Sequence, residues 1–154
     1  MERSVVLIKP DALQRGLVGK IIDRLEQKGL KVLAVKMINL TDELLEKWYA
    51  HHKDKPFFPG LKVYMKQAPV IAMLWEGREA VATIRKIVGI TRARDAEAGT
   101  IRGDFAMSQQ YNLVHASENS EIAKEEERIM FSPSEICSWD KADYKNIYIK
   151  EELE

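Results

Sequence analysis

The sequence predicts an α+β sandwich of the split βαβ type, with a four-stranded antiparallel sheet and covering helices. Three observations lead there. Short, mostly apolar runs recur at Val5–Ile8, Lys31–Leu40, Pro69–Trp75 and Leu113–Ala116. Segments of helical period separate the first run from the second and the third from the fourth. Glycine, proline and clusters of polar residues punctuate the boundaries.

Val5-Val6-Leu7-Ile8 is a continuous apolar run, as expected of a central strand covered on both faces. It stops at Lys9-Pro10-Asp11, because proline cannot continue a ladder. Lys9 is therefore either a ligand-contacting charge at a strand end or a solvated lysine. Leu17, Val18, Ile21, Ile22 and Leu25 share a helical face, and Gly29 marks the stop. Lys31 to Leu40 is the second strand. Thr41 then starts a helix with Asp42 and Glu43 in its first turn and Leu44, Leu45 and Trp48 on one face. His51 to Pro59 is loop, and Leu61 to Lys66 is helical. In that loop Phe57 and Phe58 either both anchor the chain in the core, or one offers a flat face to a base or sugar.

Pro69 to Trp75 is the third strand. Arg78 to Val88 is helical, with Val81, Ile84 and Val88 inward, Arg85 at the edge of that stripe and Gly89 at its end. Thr91 to Ala98 is a polar loop, and Thr100 to Phe105 is a short turn carrying Arg102. Leu113 to Ala116 is the fourth strand. The last helix runs from Ser120 to Phe131, capped by Asn119 or Ser120. The aromatic tail, with Trp139, Tyr144 and Tyr148, packs on the body or on a neighbouring subunit. The order β-α-β-(helices)-β-α-β is ferredoxin-like, with helical insertions after the second strand and a C-terminal helix. No repeat, low-complexity segment or linker divides the chain, so residues 1–154 are expected to form one domain.

Lys and Arg total 24, as do Asp and Glu, so the net charge is zero and no global field draws the chain to nucleic acid or a membrane. Local cationic clusters could still hold phosphate. The single cysteine, Cys137, rules out an internal disulfide and suits a reducing compartment. No signal-like segment opens the chain and no apolar run is long enough to span a bilayer, so a cytoplasmic location is expected.

Of three histidines, His51 and His52 lie together in a charged, proline-containing segment. His115 alone stands where a strand delivers a side chain to a site, although a structural or merely exposed histidine would look the same. In the last helix Ala123, Ile122, Ile129 and Met130 define an apolar face with Glu126 in its middle. A lone buried carboxylate is costly, so Glu126 needs a partner. His115 is one, and a nearby lysine or arginine is another. A carboxylate on one imidazole nitrogen fixes the tautomer and leaves the other nitrogen as a nucleophile. Lys9, Arg85, Arg102 and His52 lie at element ends or in loops, and Thr91 can add a hydroxyl. A histidine nucleophile beside phosphate-binding cations points to phosphoryl transfer through a phosphohistidine. A non-catalytic nucleotide- or RNA-binding module of the same fold is the alternative. Against it stand the zero net charge and the lack of an aromatic RNA-binding strand motif. Gly16-Leu17-Val18-Gly19-Lys20 is too short for a P-loop, and no Cys/His set has metal-site spacing.

Five blocks carry a resemblance: Ile8-Lys9-Pro10-Asp11, Gln14-Arg15-Gly16-Leu17-Val18-Gly19, Lys55-Pro56-Phe57-Phe58, Gly99-Thr100-Ile101-Arg102-Gly103-Asp104-Phe105 and Asn112-Leu113-Val114-His115-Ala116-Ser117. In their order and spacing the chain resembles the nucleoside diphosphate kinases along nearly its whole length. The resemblance implies a ping-pong reaction in which His115 takes the γ-phosphoryl group of a nucleoside triphosphate such as ATP or GTP and passes it to a nucleoside diphosphate. It further implies that Glu126 orients His115 and Ser117 hydrogen-bonds Glu126. Arg85, Thr91 and Arg102 would hold phosphates, flanked by Tyr49 and His52. Lys9 and Asn112 would bind sugar hydroxyls or the phosphate bridge, and Phe57 would stack on the base, a base-tolerant contact. Mg²⁺ would arrive on the nucleotide phosphates. A homo-oligomer, a hexamer ahead of a tetramer, is the implied assembly. The sequence departs from the family at Glu118 (usually Asp), Ala12 (usually Gly), Ala93 (usually Pro), Gln110 and the tail beyond Tyr148.

Overall fold

Val5, Val6, Leu7 and Ile8 are buried to the last side chain, and a computed structural model describing residues 1–153 shows why. Their strand, β1 (Glu2–Ile8), pairs on both edges. One neighbour is β3 (Val70–Gly77), the other β4 (Val114–Ala116), and β2 (Lys31–Ile38) closes the far edge beside β3. All the pairings are antiparallel in the order β2-β3-β1-β4, the ferredoxin-like arrangement.

Alternation along these strands divides the interior in two. Val6, Ile8, Met73 and Trp75 face one core, which is closed by Ile21 and Leu25 of α2 (Val18–Gln27) and by Ile84 and Val88 of α5 (Ala80–Val88). Val5, Leu7, Ala72 and Leu74 face the other. There they meet Trp48 of α3 (Asp42–Trp48) and Met130 of α7 (Ser120–Met130). At about 25 cal/mol per Å² of apolar surface, burial on both faces makes β1 the anchor of the sheet.

Several boundaries differ from the sequence-based expectation. β1 starts at Glu2, because the ladder with β3 runs on to the Glu2–Gly77 pair. The strand stop at Pro10 is also a helix start: α1 (Pro10–Gln14) uses proline in its first turn, where its fixed φ suits a helix and no N–H is needed. For the same reason α4 (Phe58–Met65) begins ahead of Leu61, taking Phe58, Pro59 and Gly60 out of the loop. The turn after Thr100 is a helix, α6 (Ile101–Phe105), capped by the Thr100 hydroxyl accepting from the Gly103 amide. In the tail lie α8 (Tyr144–Ile147) and α9 (Lys150–Leu153). No helix of the described residues is long and apolar enough to cross a membrane.

Candidate active site

β4 is three residues long; Val114 and Ala116 are buried, and His115 projects half-buried on the other side, opposite Leu7 of β1. Its Nε2 lies 2.6 Å from Oε1 of Glu126. Glu126 is 7% exposed and comes from the middle of α7's inward face. The partner of that buried carboxylate is thus the histidine, not a lysine or arginine. Its second oxygen accepts a 2.6 Å hydrogen bond from the hydroxyl of fully buried Ser117, which in turn accepts from the Val5 amide at 3.0 Å. Both carboxylate oxygens are therefore committed, which offsets the desolvation of Glu126. The edge of Trp48 closes against the imidazole at a centroid distance of 5.2 Å. Asn119 sets the start of α7 by accepting from the Glu121 and Ile122 amides.

Three cations line the cleft that His115 enters. Arg102 is 8% exposed and donates to the carbonyls of Asn112, Gly89 and Val114, leaving further N–H donors over. Burial, then the charge of Arg85, lowers its pKa to about 10. Lys9 is 9% exposed and donates to Oδ1 of Asn112 at 2.8 Å. Burial, then the charge of Arg102, lowers the Lys9 pKa to about 8, against an opposing pull from Asp11. Lys9 is accordingly a buried lysine and not a solvated one. Arg85 projects, exposed, from the last turn of α5. Two buried cations whose charged forms are disfavoured by burial and by a neighbouring cation would gain from a bound polyanion. Asn112 uses its amide N–H groups on the carbonyls of Thr91 and Gln109, tying the loop of Thr91 to the floor of the site.

The opposite wall is aromatic. Phe58 is buried while Phe57 is 53% exposed, so one ring anchors α4 and the other remains free. Phe57 meets His52 edge-on at 5.4 Å, and His52 lies 6.2 Å from the ring of Tyr49. Burial, then the positive charge of His51 and Lys55, lowers the His52 pKa. Burial and the Glu126 carboxylate push Tyr49 up, so its hydroxyl stays a neutral donor. Between the walls is a cleft of about 970 Å³, of a size for a nucleotide. Lys9, Tyr49, His52, Phe57, Arg85, Thr91, Arg102, Asn112, His115 and Glu126 all line it; Ser117 alone of the expected site residues lies behind, under Glu126. Among the described residues no group of three His, Cys, Asp or Glu side chains could hold a metal ion by itself.

The structure also assembles residues that sequence reasoning passed over. In sequence Trp48 only shares a face of α3 with Leu44 and Leu45, yet it packs against the imidazole. Asp11 was read as part of a strand stop. Its buried carboxylate accepts from the Tyr64 hydroxyl at 2.6 Å and from the Leu113 amide at 3.1 Å. Of the departures from the family pattern, Glu118 and Gln110 line the cleft, whereas Ala12 and Ala93 are buried.

Comparison with known proteins points the same way. The family model described as nucleoside diphosphate kinase matches residues 2–136. A nucleoside diphosphate kinase of Archaeoglobus fulgidus is 48% identical over 148 residues, 96% of this chain and 98% of the relative. Another, from Symbiobacterium thermophilum, is 50% identical over 135 residues, 88% of this chain and 90% of that one. Among solved structures, a halophilic nucleoside diphosphate kinase from Halobacterium salinarum in complex with CDP superposes with a TM-score of 0.93 at 42% identity, covering 96% of this chain and 98% of that one.

Proposed function

This chain belongs to the nucleoside diphosphate kinase family, whose members move the terminal phosphoryl group of a nucleoside triphosphate to a nucleoside diphosphate by a ping-pong route through a phosphohistidine, and we propose that His115 is the histidine that carries it. The observation that carries the assignment is the 2.6 Å contact between His115 Nε2 and Glu126. A carboxylate there accepts a hydrogen bond from Nε2–H, which keeps the proton on Nε2 and leaves the lone pair on Nδ1. Nδ1 attacks the γ-phosphorus, the bond from that phosphorus to its bridging oxygen breaks, and the nucleoside diphosphate departs with the electron pair. The imidazole becomes cationic as the N–P bond forms, and Glu126, held by Ser117, stabilises that charge. A terminal phosphate oxygen of a different nucleoside diphosphate then attacks the same phosphorus and restores the imidazole.

Arg102, Arg85 and Thr91 are suited to the phosphate oxygens, with Tyr49 and His52 beside them as neutral donors. Lys9 and Asn112, already hydrogen-bonded to each other, are suited to a sugar hydroxyl or the bridging region. Exposed Phe57 offers its face to the base, whichever base that is. A cleft lined by cations fits a magnesium ion that is carried on the nucleotide's own phosphates. When bound, the ion would neutralise charge on the polyphosphate. Substrates are accordingly nucleoside tri- and diphosphates including ATP and GTP, with no nucleic acid or membrane partner, in the cytoplasm. A homo-oligomer, a hexamer ahead of a tetramer, is part of the same proposal. Its support is the edge strand β2, where Val35 is 55% and Met37 is 59% exposed, an apolar edge of the kind that pairing covers.

The test is intact-mass measurement after incubation with ATP and Mg²⁺. Wild type acquires one acid-labile phosphoryl group that added GDP discharges, and His115→Ala acquires none. A wild type that never takes the adduct, or a His115→Ala variant that does, removes His115 from the role.

A further inference from the structure

The strand that carries His115 begins with a conformation that its sequence does not favour. Leu113 has φ of 73°, left-handed backbone at a bulky, fully buried residue. The Val114 amide donates to the Asn112 carbonyl at 2.9 Å, so Leu113 is the central residue of a three-residue turn. That turn, with positive φ at its centre, is the rare and strained γ form, and such a residue persists only where its surroundings over-determine it. Here the surroundings come from the far end of β1. Asp11 accepts the Leu113 amide at 3.1 Å, and the Lys9 amide donates to the Leu113 carbonyl at 2.9 Å. Both backbone groups of the strained residue are thus held by one short segment, with Pro10 between the two anchors.

What hangs on the turn is the phosphate side of the cleft. The carbonyls of Asn112 and Val114, which flank Leu113, are two of the three acceptors that seat Arg102. The Asn112 side chain holds Lys9 and the Thr91 loop, and His115 follows Leu113 by two positions. Relaxing Leu113 to an ordinary backbone would swing both carbonyls and re-aim the imidazole. Asp11 is itself 7% exposed and is oriented by the Tyr64 hydroxyl, whose ring is 1% exposed. We propose that Asp11, oriented by Tyr64, is a positioning residue for phosphoryl transfer: its carboxylate clamps the γ-turn at Leu113 and so fixes the aim of His115 and the seat of Arg102. This rests on the assignment of His115 above and adds to it a residue that touches neither substrate nor imidazole.

A misaimed nucleophile slows attack on phosphorus in both directions, so the clamp affects both half-reactions alike. With the full-length protein, stopped-flow measurements give the rate of phosphorylation by ATP and of discharge by GDP, per folded molecule. Asp11→Ala slows both by a common factor of about tenfold or more, the scale expected when a reacting group is displaced by a fraction of an ångström. Asp11→Asn keeps an acceptor for the Leu113 amide and stays within about threefold of wild type. Should Asp11→Asn prove as slow as Asp11→Ala, the carboxylate's charge on Lys9 is responsible and the clamp is wrong. Tyr64→Phe keeps the buried ring and deletes only the bond that orients Asp11. It slows both half-reactions equally, and it decides the matter if Asp11→Ala does not fold. Wild-type rates in Tyr64→Phe, or in a folded Asp11→Ala, overturn the proposal. A wild type that takes no phosphoryl group overturns the His115 assignment instead, so the two failures are distinguishable.

Discussion

At the scale of single residues, the site is a set of charges placed where each is costly alone. Lys9 shows the consequence. Burial of its ammonium, and then the charge of Arg102 beside it, holds its pKa near 8, below the ordinary lysine value of 10.5. The unfolded chain keeps the proton up to its higher pKa, so between 8 and 10.5 the unfolded state binds more protons and folding stability rises with pH. If, as proposed, Lys9 reaches the bridging phosphate region, that contact needs the ammonium, so nucleotide affinity moves the other way and falls as pH rises through 8. ADP affinity measured calorimetrically should drop by about tenfold per pH unit above that point at most, while Lys9→Met binds more weakly and with no such dependence. A wild-type affinity that is flat to about pH 9.5 would exclude Lys9 from the phosphate contacts. Which residues could be read from sequence follows from how they act. Glu126 was legible because a carboxylate at the centre of an apolar helical face has to have a partner, and the strand before that helix ends in His115. Ser117 came only from the family resemblance. Asp11 was not legible: its partners Tyr64 and Leu113 lie 53 and 102 residues away, and no local periodicity reports a hydrogen bond across that distance.

At the scale of elements, strands and long helices follow hydrophobic period, while the short helices follow capping and proline chemistry. Hence α2, α5 and α7 were foreseen from their apolar stripes, and α1, with five residues, was not. α4 was foreseen only from Leu61 on, because Pro56 and Pro59 read as loop signals although the second of them lies in the helix's first turn. In the proposed mechanism the helix that matters most is α7, since it presents Glu126. Its start depends on Asn119, whose side chain takes the Glu121 and Ile122 amides. Asn119→Ala removes that cap and should lower unfolding free energy by about 1 kcal/mol in urea titration. Glu126 lies nearly two turns further in, so the phosphorylation rate of the folded variant should hold. A rate that collapses with stability intact would mean that the cap also positions Glu126.

At the scale of the molecule, the sheet has two ends with separate tasks. One end carries the site: Ile8 faces Val114 there, and Lys9 and Leu113 exchange the next backbone bond. The other end is closed by the tail, which sequence placed either on the body or on a neighbour; it packs on the body. Lys31 starts β2, is 9% exposed, forms an ion pair with Glu76 at 2.8 Å and donates to the Trp139 carbonyl at 2.9 Å. The Trp139 indole donates to the Val32 carbonyl at 2.8 Å. Next to it β2 bulges between Val32 and Ala34, and the Leu33 carbonyl, left out of the ladder, accepts the Cys137 amide at 2.8 Å. Further along, the Arg78 amide donates to the Tyr148 hydroxyl, and Ile147 fills the space over Gly29. Removing the Trp139 side chain takes the indole donor from the Val32 carbonyl and the aromatic ring from beside the Lys31 ammonium. Trp139→Ala should therefore cost about 1–3 kcal/mol of unfolding free energy. Because these contacts gather at the end of the sheet away from His115, single-turnover phosphorylation of the folded variant should match wild type. Loss of that rate at unchanged stability would show instead that the tail acts on the cleft, in its own subunit or a neighbouring one, and that the two ends of the sheet are coupled.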